Sequence, residues 1–405
     1  MLDSATRELI KSTVPVLKQH GVTLTRHFYA RMFAHNPELK PMFNQTSQQA
    51  GRQQQALAMA VLAYAENIDQ PQVLQPVLNL VANKHVSLGI RAEHYPIVGK
   101  HLLASIQEVL GDAASAALIS AWAAAYGQLS DILIAQENQI YLHSANQNGG
   151  WSGWRSFKVE KTVLESDEIM SLYLTPADGG RVPNYRPGQY ISVKVQIPAM
   201  GMSQVRQYSL STAPGKSFLR ISVKREVGNA VNPDGMVSNV LHDQTVVGSL
   251  IEVAPPMGNY FLHEDRDTPV VLISAGVGIT PKLAMLEHLI ETNSTRSIVF
   301  IHACRHGGVH AFKQQVKQLS ANHPSVNNVV YYEVPREQDL PDQDYQYTGR
   351  LQMEQIAPMV VQAHADYYVC GPVPFMQEQI NHLKMLGVDA GKIHAEAFGS
   401  GGIAA

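Results

Sequence analysis

Apolar residues recur at helical spacing through the first third of the chain and then change rhythm twice. Leu24, Phe28, Met32 and Phe33 mark one face of a helix that Asn36-Pro37 stops. Gln53, Leu57, Ala60, Val61 and Tyr64 predict a second helix. Leu74, Leu78, Val81 and His85 predict a third, running from near Pro71 to Gly89. A fourth spans Glu93 to Gly111. Asp112 reads as the N-cap of a long alanine-rich helix through Leu118, Trp122, Leu129, Leu133 and Tyr141. No strand signal interrupts this stretch, so residues 1–143 are expected to be an all-α domain. Residues 144–153 are polar and glycine-rich, the composition of a linker. Short, β-branched, partly alternating runs follow at 157–165, 169–176, 188–197, 206–211, 218–225 and 249–256, and predict a small antiparallel barrel or sandwich over 154–264. From Pro269, apolar strands alternate with helical stretches, so 265–405 is expected to hold a parallel α/β sheet. The fold class is multidomain.

Composition adds limits rather than detail. A chain of 405 residues is too long for one core. A net charge of −3 gives no electrostatic case for nucleic acid or an anionic membrane surface. Two cysteines, Cys304 and Cys370, are too few for a disulfide framework and fit a reducing compartment, so the cytoplasm is expected. The opening residues form a charged amphipathic helix rather than an export signal. No uninterrupted apolar run approaches the roughly 20 residues of a bilayer span.

Three constellations carry candidate chemistry. A lone His on a helix is more often a surface residue than a ligand, but His85 emerges from a stripe formed by Leu78, Val81 and Leu88, as axial ligation of haem requires. Tyr29 lies beside the apolar face of its helix and Gln53 heads another. Phe43 sits in the turn between them. Leu129, Leu133 and Glu137 are spaced i, i+4, i+8, so Glu137 shares their face; spacing alone favours a partly exposed Glu near a helix end, and a carboxylate turned inward would need a hydrogen-bonding partner. On a predicted strand, Arg206-Gln207-Tyr208-Ser209 supplies a phosphate-gripping guanidinium, a flat ring and a hydroxyl, with Arg206 and Tyr208 on one face. After an apolar strand, Gly276-Val277-Gly278-Ile279-Thr280-Pro281 opens a helix. Glycines there let the backbone approach a pyrophosphate, although two glycines fall short of the full dinucleotide fingerprint. Cys370-Gly371-Pro372 ends another apolar strand, at the edge where parallel sheets bind ligands.

The segments HFYARMFAHNPELKPMFN (27–44), AGRQQQAL (50–57) and ANKHVSL (82–88) resemble the haem domain of bacterial flavohaemoglobins. Arg186-Pro187-Gly188-Gln189-Tyr190 with residues 206–209, ahead of an α/β domain, resembles the ferredoxin-reductase module fused to that globin. The resemblance implies haem b, FAD and NADH or NADPH as cofactors. It makes His85 the proximal iron ligand, Tyr29 and Gln53 distal hydrogen-bond donors to bound O2, Phe43 a ring against the porphyrin, and Leu57 a limit on distal space. It places Tyr95 and Glu137 in a network that holds His85. It also makes Tyr190 and residues 206–209 FAD contacts, puts Gly276–Pro281 and Cys370-Gly371 at the nicotinamide cofactor, and brings the tail Glu396-Ala397-Phe398-Gly399-Ser400 to the flavin. Relatives in this family often carry Cys and Pro where this chain has Ala397 and Ser400. The loop 226–235 is longer than usual, so no pyrophosphate contact is carried onto it. The implied activity is nitric oxide dioxygenase, with nitric oxide and O2 as substrates, in a monomer. Arg305, just past the second α/β strand, could accept a 2′-phosphate.

Overall fold

A computed structural model describes residues 2–228 and 233–398. The chain forms two compact units. One comprises the residues up to Asn146 with Trp151–Trp154 and Pro198–Arg206; the other comprises Gln147–Gly150, Arg155–Ile197 and the residues from Gln207 onward.

The first unit is helical: α1 (Ser4–Ser12), α2 (Val14–His35), α3 (Gln45–Gln49), α4 (Arg52–Glu66), α5 (Gln75–Leu88), α6 (His94–Leu110) and α7 (Ala116–Asn146). Their apolar faces meet in a core that includes Leu24, Phe28, Tyr29, Met32, Tyr64, Leu102 and Trp122. Ala60, grouped with the inward face of α4 by spacing, is exposed. The cap of α7 also differs from expectation. Asp112 lies in a 3-10 turn, and the helix starts after Ser115, whose hydroxyl accepts from the Leu118 amide at 3.2 Å. Asp112 lies too far upstream to reach the free amides of that first turn. By length and composition α7 could cross a bilayer. It instead buries Ala121, Trp122, Ala125, Leu133 and Tyr141 among the other helices, as a core helix does.

Two six-stranded sheets are present among the described residues. Strands β1 (Arg155–Leu164), β2 (Ile169–Pro176), β3 (Tyr190–Ile197), β4 (Met202–Ser209), β5 (Leu219–Lys224) and β6 (Leu250–Val253) run in the order β4-β3-β6-β1-β2-β5. The pairs β1–β2, β1–β6, β2–β5 and β3–β6 are antiparallel. A bridge between Leu210, just past β4, and Ile221 on β5 links the sheet's two edges, and so closes a barrel. The short helix α8 (Met236–Gln244) follows β5.

The other sheet contains β7 (Val270–Ala275), β8 (Ile298–Cys304), β9 (Val326–Tyr332), β10 (Tyr347–Thr348), β11 (Asp366–Cys370) and β12 (Ile393–Glu396), in the order β10-β9-β8-β7-β11-β12. Its strand pairs are parallel. The helices α9 (Ile279–Glu291), α10 (Lys313–Asn322), α11 (Ala357–Val360) and α12 (Val373–Met385) connect the strands, and the two faces of the sheet bury separate apolar clusters.

Candidate functional site

The helical unit builds its site around His85, four residues before the left-handed Gly89 (φ 78°) that ends α5. Nδ1 of His85 lies 2.7 Å from Oε1 of Glu137 and 3.1 Å from the Tyr95 hydroxyl oxygen. Tyr95 donates to the same Oε1 at 2.5 Å. Glu137 is 2% exposed on α7. Burial, followed by the bond to Glu137, raises the Tyr95 phenol far above its ordinary range, so it stays a donor. With Nδ1 engaged, Nε2 is the ring nitrogen left for a metal. The bond to a buried carboxylate makes that nitrogen more basic.

A second set of residues gathers on α2 and α4. The Tyr29 ring is buried between Phe28 (centroids 5.0 Å), Phe33 (5.8 Å) and Phe43 (5.7 Å, edge-on). Desolvation pushes its phenol well above the usual value. Leu57 packs against the same core. Gln53 is partly exposed, but its Oε1 is buried without a hydrogen-bond partner. Such an orphan is expected where a ligand completes the site.

The barrel positions the flavin candidates. Tyr190 is locked to Met257 by backbone hydrogen bonds of 2.9 and 2.8 Å. A Cβ on Gly258 (φ 115°) would lie 2.9 Å from the Tyr190 ring, so glycine is required there. On β4, Arg206 Nη1 donates to the Val205 carbonyl at 2.8 Å, and Gln207, Tyr208 and Ser209 follow. Ser209 is buried, and its Oγ has no partner. A hydroxyl left unsatisfied in that way fits a flavin edge.

The α/β half presents a cleft of about 820 Å³. Gly276, Val277, Arg305, Gly371 and Phe398 are among the residues that line it. Gly276 has φ 53°, and a Cβ on Gly278 would come within 2.3 Å of the Cys370 carbonyl, so the glycine turn lies flat against the end of β11. Ile279, Thr280 and Pro281 lie behind this wall, buried in the first turn of α9, and the Thr280 hydroxyl donates to the Val277 carbonyl at 3.0 Å. Cys370 is fully buried, and its thiol is pushed up to about 12, which suits packing and not nucleophilic attack. In the β11–β12 ladder Cys370 faces Glu396. Ala397 packs on the sheet's core, while Phe398 is exposed at the cleft. Gly399 and Ser400 lie outside the described residues, as does part of the 226–235 loop.

The sequence reading passed over a buried ion pair behind this site. Glu287 on α9 accepts from the Thr212 hydroxyl and the Ala213 amide, each at 2.7 Å, and from Arg220 at 3.2 Å and Gln315 at 2.5 Å. It also passed over the buried Lys282. Both stand in an amphipathic-looking stretch, PKLAMLEHL, that gives no sign of burial on both faces.

Comparison with known proteins identifies the domains that carry these residues. Residues 26–133 match the globin family, 156–262 the oxidoreductase FAD-binding domain and 272–380 the oxidoreductase NAD-binding domain. The chain is 57% identical to the flavohemoprotein of Chromobacterium violaceum over 99% of both chains. It belongs to the flavohaemoprotein family. The flavohemoprotein of Bordetella pertussis is 55% identical over 100% of both chains. Among solved structures, the flavohemoglobin of Malassezia yamatoensis with bound FAD and heme is similar at a TM-score of 0.86 and 28% identity, covering 98% of this chain and 100% of that one. The flavohem-like FAD/NAD-binding domain of a nitric oxide dioxygenase from Vibrio cholerae matches at 39% identity and a TM-score of 0.55, covering 60% of this chain and 98% of that one. This flavohaemoprotein is therefore an NAD(P)H-dependent oxidoreductase with a globin haem domain, a barrel for FAD and a parallel-sheet NAD domain. The orphaned Gln53 Oε1 and Ser209 Oγ and the pre-set His85 imidazole are compatible with haem and flavin.

Proposed function

We propose that this flavohaemoprotein is a nitric oxide dioxygenase that consumes NAD(P)H and O2 and releases nitrate, a cytoplasmic detoxification. FAD held by Tyr190 and Arg206–Ser209 would supply single electrons from NAD(P)H hydride, and haem held by His85 would supply the iron for nitric oxide and O2. The observation that carries the reading is the 2.7 Å contact of His85 with a carboxylate that is 2% exposed. A histidine held in this way donates electron density to iron, which favours oxygen chemistry over reversible storage. His85 is the proximal ligand, and Glu137 and Tyr95 hold its ring. Tyr29 and Gln53 offer hydrogen bonds on the distal side, with Phe43 and Leu57 shaping the pocket. Tyr190 and Arg206–Ser209 hold the flavin, the tail from Glu396 onward meets it, and Gly276–Pro281 with Cys370-Gly371 receive the nicotinamide cofactor. Both cysteines are unpaired thiols, as a reducing cytoplasm maintains them. Each chain carries globin, flavin and nicotinamide domains, so a monomer suffices. The domains proposed are 1–143, 154–264 and 265–405, with 144–153 as linker.

The test is product analysis on purified holoenzyme. Under air, nitric oxide should accelerate NADH oxidation and appear as nitrate, one per electron and so a pair per NADH. Nitrous oxide formed under nitrogen at a comparable rate, or NADH oxidation that nitric oxide leaves unchanged, would replace this reading with an anaerobic reductase or an oxygen carrier.

The cleft also bears on cofactor choice. Arg305 Nη2 lies 2.5 Å from Glu168 Oε2, and the arginine is more than half exposed at the cleft. A 2′-phosphate exchanges one anion for another at a guanidinium already on the cleft wall. Arg305→Glu should lower kcat/KM for NADPH by about tenfold or more, the scale of one lost charge-assisted bond, and spare NADH. A strong NADH preference untouched by the substitution would end the idea.

A further inference from the structure

Among the described residues, Lys282 is the only buried lysine, and none of its surface reaches solvent. It sits in the first turn of α9, where the helix dipole disfavours a cation. It follows Gly278 by four residues, so the two share a helix face. Because Gly278 lies against the Cys370 carbonyl, Lys282 is directed toward the end of β11, and Cys370 is paired with Glu396 on β12. The ammonium donates to the Tyr260 hydroxyl and lies 4.4 Å from the centre of that ring. No carboxylate lies within ion-pair range of it among the described residues, although Cys370 and Glu396 act on it electrostatically. Leu283, Ala284, Met285 and Leu286 beside it are also fully buried, so a methionine would serve packing at less cost than an unpaired cation.

We propose that Lys282 is a positioning residue for hydride transfer: its buried ammonium stabilises the Glu396 carboxylate and the negative charge that the flavin acquires on reduction. The inference rests on the reading that Glu396 meets the flavin. Charge balance is simple. Hydride delivers two electrons and one proton, and the excess negative charge is offset by Lys282, either already protonated or taking up one proton from solvent. Burial pulls the lysine down to about 8, so it is charged at neutral pH and loses its proton above that point. The titratable groups facing it are Tyr260 on the segment after β6, Cys370 on β11 and Glu396 on β12.

The test is a spectroelectrochemical titration of the flavin in the FAD-loaded full chain, from about pH 6.5 to about pH 9.5, a range that brackets the lysine. In the native protein the plot of midpoint potential against pH should steepen above about 8, as an extra proton accompanies the electron pair. Lys282→Met should lower the potential near neutral pH and remove the break. Hydride transfer from NADH, followed by stopped flow, should slow about tenfold, with KM for NADH within about twofold of the native value. A native plot without a break, or a methionine variant that keeps the native potential and slope, overturns the proposal. Should that variant not fold, Lys282→Gln and the native plot decide. Glu396→Gln separates the two readings. If it leaves the potential in place while Lys282→Met lowers it, the reading of Glu396 falls together with the lysine's support of that carboxylate, and only the lysine's stabilisation of the reduced flavin survives. If only Lys282→Met is without effect, the lysine inference falls alone.

Discussion

Tyr29→Phe is expected to speed O2 release about 5- to 150-fold, the equivalent of about 1–3 kcal/mol for one desolvated hydrogen bond. Nitric oxide consumption should fall, while flavin reduction by NADH keeps its native rate. The ring is buried among Phe28, Phe33 and Phe43, so removing a single oxygen preserves the packing. Its burial keeps the phenol protonated and therefore able to donate. Flash photolysis or stopped-flow mixing measures the off-rate directly. An O2 off-rate equal to that of the native protein would remove Tyr29 from the distal site.

Glu287→Ala should destabilise the reductase half by about 3–5 kcal/mol, because it leaves Arg220 buried without its carboxylate. The side chains of Arg220 and Glu287 are 6% and 8% exposed. The lost carboxylate also strands the Thr212 hydroxyl and the Ala213 amide, which join the barrel to α9. At about 2–4 °C per kcal/mol for a body of this size, the thermal midpoint of the flavin-containing half should fall by about 10 °C. Flavin fluorescence on heating reports that midpoint separately from the haem domain. A double variant, Arg220→Met with Glu287→Leu, should recover much of the loss, since paired apolar replacements spare both desolvation costs. A single variant as stable as the native protein would show that water reaches the pair.

Much of this was legible in the residue pattern, and the exceptions share a cause. Leu129 and Leu133 set the face of Glu137, but spacing alone favours a partly exposed residue near a helix end; the family resemblance puts it at His85, against which it is buried. The alternating runs located the barrel strands to within a few residues, since a half-buried strand writes its period into the chain. Lys282 and Glu287 escaped because PKLAMLEHL reads as an amphipathic helix whose polar positions face solvent, whereas α9 is buried nearly all round. The strand β12, Ile-His-Ala-Glu, has neither alternation nor a β-branched run, and its existence depends on the neighbour it pairs with. The misplaced cap of α7 came from taking the first acidic residue after Gly111, when a 3-10 turn intervenes before Ser115.

The position of β12 at the sheet's outer edge has a consequence for how the molecule is made. As a parallel edge strand, β12 cannot pair until some 250 residues after the globin helices are complete, roughly half a minute at ordinary elongation rates. A product that stops short of Ile393 retains the inner strands but carries neither Glu396 nor Phe398. Clipped chains of this kind would keep every globin helix but leave the β11 edge of the sheet unpaired.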